Sequence, residues 1–158
     1  MTTATKEHQW SELAAELKQE ATAAREARAE VQTSAATTRR AVAAGISRWW
    51  IAFVAEWRVA VEALRGAPGL GDLRIIERGP GSIEVHDASA SGTLLGVDVD
   101  PEGDLRIRRL LNGSGDTRFL TLEPAGVEGI APAPSALARE LLTPFARDVA
   151  AWARRSDR

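Results

Sequence analysis

"SRWWIAFVAEW", residues 47–57, holds three of the chain's five tryptophans, and the environment of this run decides the architecture. Lipid, a partner's surface and the chain's own core are the three candidates. The apolar stretch Trp49–Ala55 gives way at once to Glu56 and Arg58. A membrane-spanning helix needs about 20 apolar residues, so this one does not cross a bilayer. At about 100° per residue, Trp49, Trp50, Phe53, Val54, Trp57, Ala60, Val61 and Leu64 share one helical face. Arg48, Arg58 and Glu62 lie on the other. A helix lying in a membrane surface would want a strongly basic polar face; here acids and arginines are mixed. The expectation is core packing, with an interface second because tryptophan is enriched at such sites.

The same stripe extends backward through Ile46, Val42, Ala35, Val31, Ala24, Ala21, Leu17, Leu13 and Trp10, with Arg28 as its interruption. No glycine or proline precedes Gly45, and alanine, glutamate and arginine, all good helix formers, dominate. This predicts a helical region from about Ser11 to Leu64, stopped by "RGAPG" (65–69), with Gly66 as C-terminal cap and Pro68 behind it. As one helix it would run roughly 80 Å. Alternatively, "QTSAATT" (32–38), rich in residues that compete for backbone hydrogen bonds, folds it into a helical hairpin. An isolated helix with so alanine-rich a stripe is marginal, so its stability must come from packing, on itself or on a partner.

After Gly71 the period changes. "LRIIERG" (73–79), "SIEVHDA" (82–88), "TLLGVDVD" (93–100), "DLRIRRLLN" (104–112) and "TRFLTLE" (117–123) read as strands. The separators "PG", "SASG", "PEG" and "GSG" suit antiparallel hairpins. In the second strand Ile83 and Val85 point inward, Glu84 and His86 outward. Leu105, Ile107, Arg109 and Leu111 share a face of the fourth, so Arg109 is at an edge or paired. "PAGVEGIAPAP" (124–134) reads as a proline-rich connector. A C-terminal helix from Ser135 carries Leu137, Leu141, Phe145, Val149 and Trp152 at helical spacing, and Pro144 should kink it or open a second segment.

Chemistry-bearing motifs are sparse. Asp98, Asp100, Glu102 and Gly103 in "DVDPEGD" (98–104) fall at the early positions of an EF-hand loop. Arg109 stands where the bidentate glutamate belongs, Pro101 interrupts, and strands flank the loop, so a hairpin turn is expected. His86, next to Asp87 and near Ser89 and Ser91, reads as a solvated strand residue rather than part of a triad. "GAPGLG" and "NGSG" lack the lysine and helix of a phosphate loop. No cysteine is present, which excludes disulfides and thiolate metal sites. The expectation is therefore no catalytic residue, no metal ligand and no cofactor.

Across 158 residues, 44% are hydrophobic and the formal net charge is −2, so no whole-chain field draws in nucleic acid. Gly66–Pro134 carries eleven acids against six arginines, Ser135–Arg158 five arginines against three acids. Arg106, Arg108 and Arg109 cluster on one strand, and Arg147, Arg154, Arg155 and Arg158 line the end of the C-terminal helix. Tyrosine is absent and no phenylalanine interleaves with these arginines, so a solvated face is the expected reading. The start lacks the order of a secretory signal, so a cytoplasmic location is expected. The arginine and alanine bias points to a GC-rich, bacterial genome.

The helix–antiparallel sheet–helix order resembles that of the small nucleoid-associated YbaB proteins, which form dimers. That resemblance, one of element order, makes a dimeric nucleic-acid binder the alternative reading; its contacts, read from the arginine clusters, would be Arg106, Arg108, Arg154 and Arg155. The fold expected is α+β: a long N-terminal helix or helical hairpin, a meander of four or five strands, and a C-terminal helix on the sheet. Residues 1–45 would form an extended oligomerisation segment and 46–158 a globular domain. The leading functional expectation is a non-enzymatic, self-associating adaptor, chaperone-like or assembly protein. Its contacts with itself, and with another protein, would use Trp10, Leu13, Leu17, Val31, Val42 and Trp50. A small apolar-ligand pocket under the tryptophan helix is a third alternative.

Overall fold

The computed structural model describes residues 3–126 and 129–156. Helix α1 spans Thr3–Leu64 without a break, longer at its start than the sequence reading and with no hairpin. The hydroxyls that made residues 32–38 look like a breaker are absorbed within the helix. Thr33, Thr37 and Thr38 each donate from Oγ1 to the carbonyl four residues back, all at 2.9 Å. Such back-bonding weakens a helix slightly without ending it. The chain divides into two compact units between Ala41 and Val42.

The end of α1 departs from the expected glycine cap. Gly66 and Ala67 donate to the carbonyls of Ala63 and Leu64 at 3.3 and 2.9 Å, a tightened last turn. The left-handed glycine is Gly69, at φ 83°, rather than Gly66.

Strands β1 (Leu73–Glu77), β2 (Ser82–Asp87), β3 (Leu94–Val99), β4 (Asp104–Leu111) and β5 (Ser114–Thr121) form one antiparallel sheet in chain order. The meander is thus five-stranded. The last strand begins three residues earlier than expected. Asn112 and Gly113, at φ 53° and 80°, make a two-residue turn between the paired Leu111 and Ser114. Positive φ at both positions is the primed geometry that matches strand twist, and Asn-Gly is its favoured sequence. Of "GSG", Gly113 is therefore turn and Ser114 and Gly115 are strand.

Helix α2 (Pro134–Ser156) continues past Pro144 as one element and begins on a proline, whose missing N–H loses nothing at a first helical position. One hydrophobic cluster joins Ile46, Trp49, Phe53, Trp57 and Val61 of α1, the inner sheet face (Ile83, Val85, Leu95, Val97, Leu105, Ile107) and α2 (Leu137, Leu142, Phe145, Val149). The opening run is core. Trp49 and Phe53 stack at 5.0 Å and 9°, Phe53 and Trp57 tilt at 5.5 Å, and Phe53 and Trp57 are fully buried. Trp152 stays partly exposed. Arg109, on the inner face, is the paired alternative: it meets Asp148 of α2.

The supposed connector has structure of its own. Strands β6 (Glu123–Ala125) and β7 (Gly129–Ala131) pair antiparallel, and Val127 and Glu128 lie outside the described residues. After the cis Ala131–Pro132 bond, the Pro132 carbonyl accepts the Trp49 indole N–H at 2.6 Å. Tryptophan is costly to bury without such a partner, so the arm helps to place the aromatic run.

Candidate interaction surfaces

Among the described residues no helix is long and apolar enough to cross a membrane. The four large apolar residues of the early stripe, Trp10, Leu13, Leu17 and Val31, are 69%, 41%, 55% and 68% exposed. They belong to the unit that ends at Ala41. Val42 and Trp50, grouped with them from the sequence, instead pack half-buried against the chain's own core. Trp10, Leu17, Ala24 and Val31 stand seven residues apart, and Ala14, Ala21, Arg28 and Ala35 follow each by four. A sustained seven-residue repeat is the pattern of helices that supercoil about a partner helix.

The arginines fall on two surfaces. Arg106 and Arg108 sit on the outer sheet face, away from α2, whereas Arg154 and Arg155 are exposed in the last turn of α2. The four are not brought together. Arg158 lies outside the described residues. On the outer face, moreover, the charge is already matched by carboxylates. Arg106 Nε lies 3.6 Å and Arg108 Nε 3.4 Å from Asp98 Oδ2.

At the centre of this face is Glu84, expected to be solvated and in fact 1% exposed. Arg108 Nη2 donates to its Oε1 at 2.5 Å, and Arg78 Nε to its Oε2 at 2.8 Å. His86 Nε2 lies 2.6 Å from Oε2. An ionised carboxylate only accepts, so His86 carries its hydrogen on Nε2. Burial pushes the Glu84 carboxyl up, but the hydrogen bonds from His86, Arg78 and Arg108, with the charge of Arg108, hold it down at about 2. His86 is thus a half-buried partner of Glu84 rather than a free strand histidine.

Register explains the reach. Gly96 stands between Glu84 and Arg108 in the cross-strand row, and Arg108 lies over it. A Cβ at Gly96 would meet Arg108 Nη2 and Glu84 Cγ, both at 3.1 Å. The sequence cue was a glycine inside an apolar strand, a sign of close approach. Gly96→Val should displace the guanidinium and lower stability by about 1–3 kcal/mol, the range for overpacking. A chemical-denaturation midpoint unchanged from that of the parent chain would refute this account.

The remaining candidate groups are engaged in turns. Asp100 Oδ1 accepts the backbone N–H groups of Glu102 and Asp104, both at 2.9 Å, and Asp98 accepts the Ser82 hydroxyl at 2.6 Å. Asp87 accepts the N–H and hydroxyl of Ser89. Among the described residues no three His, Asp or Glu side chains converge as metal ligands would. A cavity of about 210 Å³ lies between the sheet end and α2, with Asp87, Thr93, Asn112, Asp148 and Trp152 in its wall. A shallower groove of about 410 Å³ lies between the end of α1 and α2, with Ala60, Leu64, Ala138 and Leu142 in its wall.

No protein family, curated protein or solved structure matches this chain.

Proposed function

We propose that this chain is a non-enzymatic assembly or adaptor protein that self-associates through the amino-terminal part of α1. The observation that carries the reading is the exposure of Trp10, Leu17 and Val31 at seven-residue spacing on one helical line. A second copy of the same helix is the fitting occupant, since an apolar seam of this period packs against another of the same period. Arg28, within the seam, fixes register at a cost in stability, as polar seam residues do. The engagement of Arg106 and Arg108 by Asp98 and Glu84 leaves less free positive charge for phosphates, which favours protein over nucleic acid.

Light scattering and sedimentation on the full chain across the micromolar range test the reading. The expected result is an oligomer that persists at high salt, because the apolar burial of the helix seam releases no counterions. Leu17→Asp combined with Val31→Asp should weaken association by on the order of tenfold or more, equivalent to at least about 1.4 kcal/mol. The helical signal of residues 42–64 and the core should persist. A monomeric mass for the parent chain, or submicromolar DNA binding at physiological salt, would contradict the reading.

A further inference from the structure

We infer that β5 is a second self-association edge, pairing antiparallel with β5 of another copy about a twofold axis at Thr117. Strand β5 ends the sheet order, runs eight residues without proline, and is exposed along nearly its whole length. The Asn112–Gly113 turn makes Leu111 and Ser114 a hydrogen-bonded pair, and such pairs alternate with non-bonded ones along the ladder. Gly115, Thr117, Phe119 and Thr121 therefore turn their backbone N–H and C=O groups away from β4. The bond from Leu122 N–H to the Gly103 carbonyl at 2.8 Å, one step past Thr121, confirms the phase.

An open edge accepts many strands; the side chains of β5 select its own copy. With the axis at Thr117, each Asp116 faces the other copy's Arg118, giving two opposite-charge pairs per interface. Among the described residues no cation lies within ion-pair distance of Asp116, and Arg118 has only the exposed Glu140, at 3.3 Å. The same axis sets each Phe119, 72% exposed, opposite the other copy's Gly115. An aromatic ring beside a cross-strand glycine covers the gap that glycine leaves. Shifting the axis by one residue would place Asp116 opposite the other copy's Asp116 or Leu120 and lose both matches. This interface uses a different element from the proposed helix seam, and two isologous surfaces on one chain extend a dimer into a larger assembly.

The cysteine-free chain makes the test direct. Facing positions in a hydrogen-bonded pair lie about 5.5 Å apart at Cα, within disulfide reach. In the full chain, Thr117→Cys should oxidise to a covalent dimer as the main product, while Thr121→Cys, about 26 Å from its counterpart by strand rise, should stay reduced. Adding Arg118→Asp should cut the Thr117→Cys yield by roughly tenfold, since two attractive pairs become repulsive. Asp116→Arg should do the same, and mixing the two charge variants should restore cross-linking between them. These substitutions are on exposed residues, and circular dichroism checks the fold. Equal yields at positions 117 and 121, or a yield indifferent to charge reversal and to mixing, would overturn the inference. So would a cross-link to another protein's strand in place of self-pairing.

Discussion

Truncating Trp57 to alanine should lower stability by about 3–5 kcal/mol, the range for large aromatic side chains removed from a core. Trp57 is 0% exposed and leans on Phe53, itself 0% exposed and stacked on Trp49, so its removal unsupports a row of rings. The loss should be the same at low and high protein concentration, because these contacts lie within the core cluster. Trp57→Phe should cost far less. The Trp57 indole N–H is buried and finds no acceptor among the described residues, so phenylalanine removes an unsatisfied donor along with some volume. Urea melts at two concentrations check both statements. A midpoint loss that disappeared at high concentration would mean that the ring belongs to an interface.

The second large effect is electrostatic. The Glu84 carboxyl falls from an ordinary 4.5 to about 2, since the hydrogen bonds of His86, Arg78 and Arg108 outweigh the opposing effect of burial. A carboxyl depressed in the folded state contributes stability that is fully present above its unfolded value and lost as pH falls toward the folded one. The window is therefore pH 4.5 to 2, and the amount at stake is roughly 3 kcal/mol, at about 1.4 kcal/mol per pH unit. Glu84→Gln should remove that share of the acid dependence. At neutral pH it should cost about 1.5–3 kcal/mol, because Arg108 loses its charged partner at Glu84 while keeping Asp98. Melts of both proteins at pH 7, 4.5 and 2.5 decide it. Parallel losses of stability on acidification would show that Glu84 is not the titrating group.

The apolar periods along the chain already contain much of the architecture. Burying one face imposes a repeat of 3.6 on a helix and 2 on a strand, so α1, the five strands and α2 were legible in order. The alternation Ile83–Val85 and the row Leu137, Leu141, Phe145 and Val149 identified inner faces correctly, because these positions are buried whatever lies opposite. Local turn chemistry was less legible. Asn112–Gly113 moved the last hairpin, and the hydroxyls of residues 33–38 stayed within the helix.

The candidate surfaces depended on contacts between residues distant in sequence. Alternation tells which face Glu84 is on; it does not tell that Arg108, 24 residues later, crosses Gly96 to bury it. Nor does a stripe from Trp10 to Leu64 reveal its own division. Ile46, Trp49, Phe53, Trp57 and Val61 are sheltered in the core cluster, whereas Trp10, Leu17 and Val31 are exposed. Arg109 is held by Asp148, and Trp49 by the Pro132 carbonyl across an arm that read as linker. Period is a local property, fixed by backbone geometry and readable residue by residue. Which charges are covered and which apolar residues remain in water depends on what the folded chain sets against them, and only the tertiary structure decides that.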